Sequence, residues 1–371
     1  MLPGGYVASA TWATHGIQRS TDWNSIGKGK PVRKIRLGKT GLEVSSVGFG
    51  GIPIQRVSDE RAVEVIRHCV DLGVTFLDTA NAYTTSEERI GKAISGRHEG
   101  LVLATKTQAR DSKGVREHLR LSLERLAVES IDLYQFHCVS SEEDYEKILV
   151  PGGPLDVVRE ARDTGQVKHI GLTSHSLETA LEAVNSGLFE TIMFPFNFVV
   201  REAAEQLIPS ALEKDVAFIA MKPFAGGALD NATLAFKYLR QYPDILPIPG
   251  IERPEEMEQI AAIMEGPAEM SGEEKSAMER IRQELGNRFC RRCGYCEPCP
   301  NGVPTQALMI LDSMIKRMPP SVVVANFAKA VEDAEECTDC GECEEKCPYG
   351  LPIREMMEEH IALFRQELAQ P

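Results

Sequence analysis

The chain has 371 residues, 26% of them charged, with 55 Asp and Glu against 41 Lys and Arg for a formal net charge of −14. That acidity argues against a nucleic-acid or anionic-membrane partner, and the length suffices for an ordinary core, so the ten cysteines are not needed as the disulfide framework of a small secreted domain. No basic patch followed by an apolar run opens the chain and no stretch reaches a membrane span, so it reads as a cytoplasmic protein.

Residues 1–31 are Gly-, Ser- and Thr-rich, fit no periodic pattern and read as a flexible N-terminal extension. From about residue 45 to 265, short apolar runs alternate with amphipathic stretches. Strands are predicted at Ser46–Phe49, Thr75–Asp78, Leu101–Thr105, Ile131–Phe136, His169–Leu172, Thr191–Phe194, Ala217–Ala220 and Ile245–Pro249. Helices are predicted between them, among them Asp59–Leu72, Ser86–Ile94, Gly114–Leu126, Ser176–Asn185, Arg201–Glu213 and Ala232–Tyr242. Eight strands alternating with helices is the count of a closed (β/α)8 barrel, over residues 32–265. A doubly wound sheet would stop at about five to seven strands, and Gly48, Gly50 and Gly51 do not form its G-x-G-x-x-G fingerprint.

Gly266-Pro267 breaks the last barrel helix, and Ser271 with Glu274 reads as the capping box of a connecting helix to about Leu285, within a linker at 266–287. The remainder, 288–371, carries two cysteine runs. Cys337-x2-Cys340-x2-Cys343-x3-Cys347-Pro348 has the bacterial ferredoxin spacing, and Cys290-x2-Cys293-x2-Cys296-x2-Cys299-Pro300 differs by one residue in its last gap. Eight thiolates suffice for two 4Fe–4S clusters. Zinc is the rival, but zinc ribbons use separated pairs of cysteines rather than four in a row repeated twice.

In two-cluster ferredoxins the fourth cysteine of each run ligates the other cluster, which predicts Cys290, Cys293, Cys296 and Cys347 for one and Cys337, Cys340, Cys343 and Cys299 for the second. Helix-period apolar positions at Thr305–Lys316 and Val323–Glu335 make this a mainly helical ferredoxin-like module, with a terminal helix in Leu351–Leu368. The acid-rich stretches at Glu332–Glu345 and Met356–Glu359 read as solvated helix faces, with the steering of a basic redox partner protein as the alternative.

Chemistry in such barrels sits where strands end. Asp78 ends the second strand and Tyr83 follows it, Lys106 ends the third and Cys138 follows His137 at the end of the fourth. Taken singly, Asp78 can cap a helix, Lys106 can plug the barrel in an ion pair and Tyr83 can pack in a loop. Four such groups from three consecutive strand ends favour a functional site. Cys69 reads as core, and strand alternation turns Cys138 away from His137 into packing.

The runs FLDTANAY, SEERIGKAI, LATK, IDLYQFH and GLTSH resemble, in order and spacing, the aldo-keto reductase family over about Arg33 to Met264, and the whole chain resembles the branch with a C-terminal ferredoxin-like extension. The resemblance implies a hairpin closing the barrel bottom at Arg33–Gly41 and a small carbonyl or alcohol substrate. It makes Tyr83 the proton donor, has Lys106 lower the tyrosine pKa, has Asp78 fix the lysine and has His137 hold the carbonyl oxygen. For NAD(P)H it implies Gly50, Gly51, Thr173, Ser174, Met193, Met221, Pro223, Phe224 and Arg253.

At these positions the chain departs from the family pattern. Thr173-Ser174 replaces a Ser-Asn pair, Met193 a frequent Gln and Met221 a stacking aromatic, while Gly250 and Glu256 stand where NADPH binders place a lysine and an arginine. Glu256 would repel a 2′-phosphate, which favours a ribose with free hydroxyls.

A nicotinamide gives two electrons and a cluster takes one. Three arrangements stay open: carbonyl reduction with the clusters apart from it, a flavin in the barrel, or electrons delivered by a partner through the clusters. The expectation is an iron–sulfur oxidoreductase of aldo-keto reductase type with the clusters relaying electrons. The alternative is an electron-transfer protein whose silent barrel scaffolds two clusters.

Overall fold

The computed structural model describes residues 32–368; the predicted N-terminal extension lies outside them. A hairpin, β1 (Lys34–Arg36) with β2 (Glu43–Ser45), leads into eight parallel strands. These are β3 (Phe49–Gly50), β4 (Phe76–Asp78), β5 (Val102–Thr107), β6 (Ile131–Phe136), β7 (Val167–Thr173), β8 (Thr191–Pro195), β9 (Ala217–Met221) and β10 (Ile245–Ile248). Each pairs with its neighbour in chain order, and β3 meets β10 through Gly48 N–H to the Pro247 carbonyl at 2.9 Å and Gly50 N–H to the Pro249 carbonyl at 2.8 Å, closing the barrel.

The hairpin seals the N-terminal end of the barrel. Gly38 has φ +50°, and a Cβ there would stand 2.6 Å from the Ala217 nitrogen, so only glycine lets the turn lie against β9. Leu37 and Val44 then pack with Phe76, Leu133, Ile219 and Leu246 inside the barrel floor.

The surrounding helices start where the sequence supplies caps: Ser58 for α1 (Asp59–Asp71), Asp111 for α3 (Ser112–Leu126) and Ser176 for α6 (Leu177–Ser186), with α2 at Ser86–Ile94 between the first two. The β6–β7 connection holds two helices, α4 (Glu142–Leu149) and α5 (Pro154–Asp163). The single helix expected over Arg201–Glu213 is a 3-10 turn, Glu202–Ala204, followed by α7 (Leu207–Glu213). Pro209 is the reason: deep inside a longer helix it would lose a hydrogen bond and clash with a preceding carbonyl, whereas in the first turn of α7 it fits. The first predicted strand also shrinks to Phe49–Gly50. The last barrel helices are α8 (Ala232–Leu239) and α9 (Pro254–Glu265).

The capping box forms as expected, with Ser271 accepting from Glu274 N–H and Glu274 accepting from Ser271 N–H, and it opens α10 (Gly272–Gly286). Beyond lie α11 (Thr305–Met309), α12 (Leu311–Arg317), α13 (Pro320–Asp333), α14 (Glu342–Glu345) and α15 (Ile353–Leu368). The helix expected over Thr305–Lys316 is thus broken at Ile310, and α13 starts three residues earlier than expected because Pro320 suits its first position. These helices build a second core around Leu308, Leu311, Val323, Met356 and Phe364. No helix among the described residues is long and apolar enough to cross a membrane.

The module docks over the C-terminal, open end of the barrel. Arg291 pairs with Glu202 at 2.9 Å, Ser313 Oγ donates to the Gly226 carbonyl at 3.2 Å, and Arg56 donates to the Lys316 carbonyl. Gly226 has φ +70° and an added Cβ would meet Ser313 Oγ at 3.0 Å, so the loop after β9 and α12 approach closely.

Candidate active site and cysteine cages

A cavity of about 730 Å³ occupies the space between the strand ends and the module. Its floor and walls include Gly50, Asp78, Lys106, His137, Thr173, Met221 and Ile248, each at, next to or just beyond the end of a barrel strand, and Met193 from the middle of β8. Its roof comes from Arg292, from Met314 and Arg317 of α12, and from Val323 and Phe327 of α13.

Lys106 is 1% exposed and Asp78 3%. Lys106 Nζ donates to Asp78 Oδ2 and to the Thr79 carbonyl, each at 2.6 Å. Burial pushes the Asp78 carboxyl up from its ordinary value while Lys106 opposes that rise. Tyr83 stands over this pair, with Lys106 Nζ 5.2 Å from its ring centre, and meets the His137 ring edge-on at 5.6 Å and 79°. The structure therefore brings all four predicted catalytic side chains to one place.

Their electrostatics differ from the expectation in one respect. The Tyr83 phenol is held well above its ordinary value, first by burial and then by Asp78 and Cys138, and the cations that pull it back are Arg317 and Arg292 of the module. Lys106 itself is held by Asp78 and the Thr79 carbonyl, 5.2 Å from the Tyr83 ring centre. His137 is held well below the ordinary imidazole value by burial, with Lys106, Arg292 and Arg110 adding to the effect, and its Nδ1 has no partner. A neutral imidazole beside a protonated phenol makes two donors for one oxygen.

Cys138 does not pack away from this site. β6 ends at Phe136, the alternation ends with it, and at φ +55° Cys138 turns into the same cavity. Cys69 is fully buried, as expected.

Of the positions implied for a nicotinamide, Gly50, Gly51, Thr173, Met193, Met221, Pro223, Phe224 and Arg253 line the cavity. Ser174 does not: it is fully buried, accepts from Ser176 N–H at 3.0 Å, donates to the Ser176 carbonyl at 3.1 Å and so holds a turn. Thr173 Oγ1 already accepts from Cys138 N–H at 2.8 Å. Arg253 is bound by Glu256, whose Oε1 lies 2.9 Å from Nε and 2.8 Å from an Nη, while Oε2 accepts from the Glu252 and Arg253 N–H groups.

Among the cavity residues that the sequence reading missed are His175, Lys222, Arg292 and Arg317. His175 and Lys222 directly follow residues already singled out, a signal that was available. Arg292 and Arg317 belong to the module, and nothing local marks them as facing a barrel.

All ten cysteines are free. Cys290, Cys293, Cys296 and Cys347 line one hollow; Cys299, Cys337, Cys340 and Cys343, with Cys296 at the border, line a second. The two runs turn alike. Arg292 (φ +64°) and Gly294 (φ +83°) flank Cys293 as Asp339 (φ +57°) and Gly341 (φ +82°) flank Cys340. Such alternating left-handed residues form nests of backbone N–H groups suited to an anionic iron–sulfur cluster. Among the described residues no three Cys, His, Asp or Glu side chains converge on a single metal ion.

The family model described as the aldo/keto reductase family matches residues 46–234, half of the chain. The chain belongs to the aldo/keto reductase family. A second model, described as a 4Fe-4S dicluster domain, matches residues 289–352. The protein is thus an oxidoreductase with an aldo/keto reductase barrel and an iron–sulfur domain.

Among curated relatives it is 28% identical over 217 residues to the uncharacterized oxidoreductase YqkF of Bacillus subtilis, a match covering 55% of this chain and 68% of that protein. It is 32% identical over 224 residues to the aldo-keto reductase YhdN of the same organism, covering 55% and 64% respectively. Of solved structures, the holo form of an aldo-keto reductase from Bacillus halodurans superposes with a TM-score of 0.58 at 22% identity, over 67% of this chain and 96% of that one. An aldo/keto reductase from Klebsiella pneumoniae in complex with NADP and acetate gives 0.57 at 20% identity, over 68% and 95%. At these identities the solved structures speak for the fold alone.

Proposed function

We propose that the barrel reduces a small carbonyl compound, or oxidises the corresponding alcohol, with Tyr83 as proton donor. The observation that carries this reading is the Tyr83–His137 pair, edge-on at 5.6 Å above the Lys106–Asp78 ion pair at the mouth of the barrel. A carbonyl oxygen between Tyr83 Oη and the His137 ring receives two hydrogen bonds. As hydride reaches the carbonyl carbon, Tyr83 gives its proton to the oxygen and the alcohol forms. Lys106, fixed by Asp78 and Thr79, lies close enough to steady the tyrosinate left behind, and His137 keeps the oxygen in line. Burial beneath α12 and α13 excludes water from the reacting atoms.

A nicotinamide supplies the hydride when bound. Gly50, Gly51, Thr173, Met193, Met221, Pro223, Phe224 and Arg253 would hold it, in a cavity that reaches from Asp78 to Gln259 and Ile260 at α9. The Klebsiella pneumoniae protein was solved with NADP; here the grip of Glu256 on Arg253 favours NADH over NADPH. The cysteine cages take two 4Fe–4S clusters in the crossed pairing, Cys290, Cys293, Cys296 and Cys347 for one and Cys299, Cys337, Cys340 and Cys343 for the other. Those groups supply one-electron storage and transfer. Cys337 and Cys340 are exposed, as a redox partner protein requires.

A second reading, an electron-transfer protein with a silent barrel, draws on the altered cofactor positions, Ser174 above all. Steady-state assays of the cluster-loaded protein with small aldehydes and ketones, using NADH and NADPH, separate the two. We expect turnover, faster with NADH at limiting cofactor. No turnover with either cofactor, while dithionite still reduces the clusters, favours the silent barrel.

A further inference from the structure

The cavity holds more positive charge than its chemistry needs. Lys106 is matched by Asp78, and Arg253 by Glu256. Lys222, Arg292 and Arg317 face the same space, and among the described residues none of the three is in an ion pair. Arg317 Nε donates only to the Ser313 carbonyl at 3.1 Å, and the acid that acts on it, Asp312, lies 3.5 Å from Lys316. His175 stands among them, 7% exposed, with Nε2 lacking any partner. The acids lining the cavity besides Asp78 and Glu256 are Glu252, which sits beside Arg253 after β10, and Asp230, which is exposed.

Unmatched cations packed together repel one another. Arg317 is pulled down to about 10, by burial first and by Arg292 next, and Lys222 falls well below its ordinary value from burial, Arg292 and Arg317. Arg292 lies inside the first cysteine run, between Cys290 and Cys293, and so has a cluster to answer to. Arg317 is different. It lines the cavity from α12, and its guanidinium carbon lies 3.7 Å from where a Cβ on Gly226, in the loop after β9, would stand. A fork of N–H donors there suits a planar carboxylate or a phosphate oxygen pair.

We propose that Arg317, with His175 and Lys222, forms an anion subsite in the roof of the cavity, and that the substrate is a carbonyl compound carrying a carboxylate or phosphate group. The substrate's carbonyl lies at Tyr83 and His137 and its anionic end beneath α12, so the iron–sulfur module selects the substrate as well as covering it. This rests on the carbonyl-reduction reading, but its binding test does not.

Cluster-loaded protein is titrated calorimetrically with 4-carbamoylbenzoate, an inert acid, and with terephthalamide, its neutral counterpart; NADH and NADPH are titrated separately. The acid is expected to bind at least tenfold more tightly than the amide. Arg317→Gln removes about 10- to 100-fold of the acid's affinity and Arg317→Lys restores part of it. In turnover, 4-carboxybenzaldehyde or 4-formylphenyl phosphate is expected to exceed 4-nitrobenzaldehyde in kcat/KM, and Arg317→Gln to erase the excess through KM; which of the two anions is preferred identifies the group. Equal binding of acid and amide overturns the proposal, as does an Arg317→Gln loss confined to NADH or NADPH, which assigns the subsite to a cofactor phosphate. If no aldehyde turns over at all, the catalytic reading fails and the calorimetry still decides this one.

Discussion

The first cysteine run carries Arg292 at its left-handed position and sends that side chain into the catalytic cavity. The second carries Asp339 at the equivalent position, where it meets Arg354 at 2.8 Å near the surface. The backbones are alike and the surroundings are not. All four cysteines of the first run are half-buried, Arg291 lies 3.9 Å over the Tyr349 ring and ties the loop to Glu202 of the barrel, whereas Cys337 and Cys340 are exposed beside Glu335, Glu336, Asp339 and Glu342. One turn thus stands in two settings: the inner run borders the barrel cavity and the outer run faces solvent.

Breaking the two cages separately sharpens this contrast most. Cys290→Ser and Cys337→Ser should each lower iron content, but Cys290→Ser should also disturb Arg292 and cost aldehyde reduction at least tenfold more than Cys337→Ser. Equal losses would mean that the inner cage has no special tie to the cavity. Next in size, His137→Gln should lower kcat for aldehyde reduction by about 10- to 100-fold with a smaller change in the affinity for NADH, since it removes a donor used mainly in the transition state.

A third effect is about tenfold. Glu256→Ala frees Arg253 and should shift the ratio of NADPH to NADH dissociation constants toward NADPH by that factor, read by fluorescence titration. An unchanged ratio would mean that Arg253 is not near the ribose. The smallest expected effect is a flat profile. His137 is held below and Tyr83 above its ordinary value, so His137 stays neutral and Tyr83 protonated between them, and kcat/KM for reduction should hold steady from about pH 6.5 to about pH 9.5. It should fall only where acid charges His137 or base ionises Tyr83. A bell centred on pH 7 would contradict the assignment.

Strand ends were legible because they obey a local rule: Asp78, Lys106 and His137 each close an apolar run, and the alternation of runs with helices fixes where those ends gather. The iron–sulfur domain was legible because the spacing of the two cysteine runs is itself the chemistry, and each run gathers into a hollow. What could not be read depended on contacts between distant segments. Cys138 was misjudged because strand alternation was carried two residues past Phe136, where the backbone had already left the sheet. The cations of the module that face Tyr83 were hidden for a different reason. Lys106 has its partners Asp78 and Thr79 close in space, while the cations that act on Tyr83 come from more than two hundred residues away. Ser174 resembles a ligand in sequence, while in the fold its hydroxyl braces the turn at Ser176 and meets Ser140 Oγ at 3.5 Å.

The account turns on Tyr83. Cluster-loaded wild type and Tyr83→Phe, each saturated anaerobically with NADH, are mixed in a stopped-flow cell with 4-nitrobenzaldehyde while the nicotinamide absorbance is followed for a single turnover. The account predicts that Tyr83→Phe slows hydride transfer by at least about a hundredfold, with cluster content and NADH affinity kept. Equal single-turnover rates would contradict it, because the proton would then come from somewhere other than Tyr83.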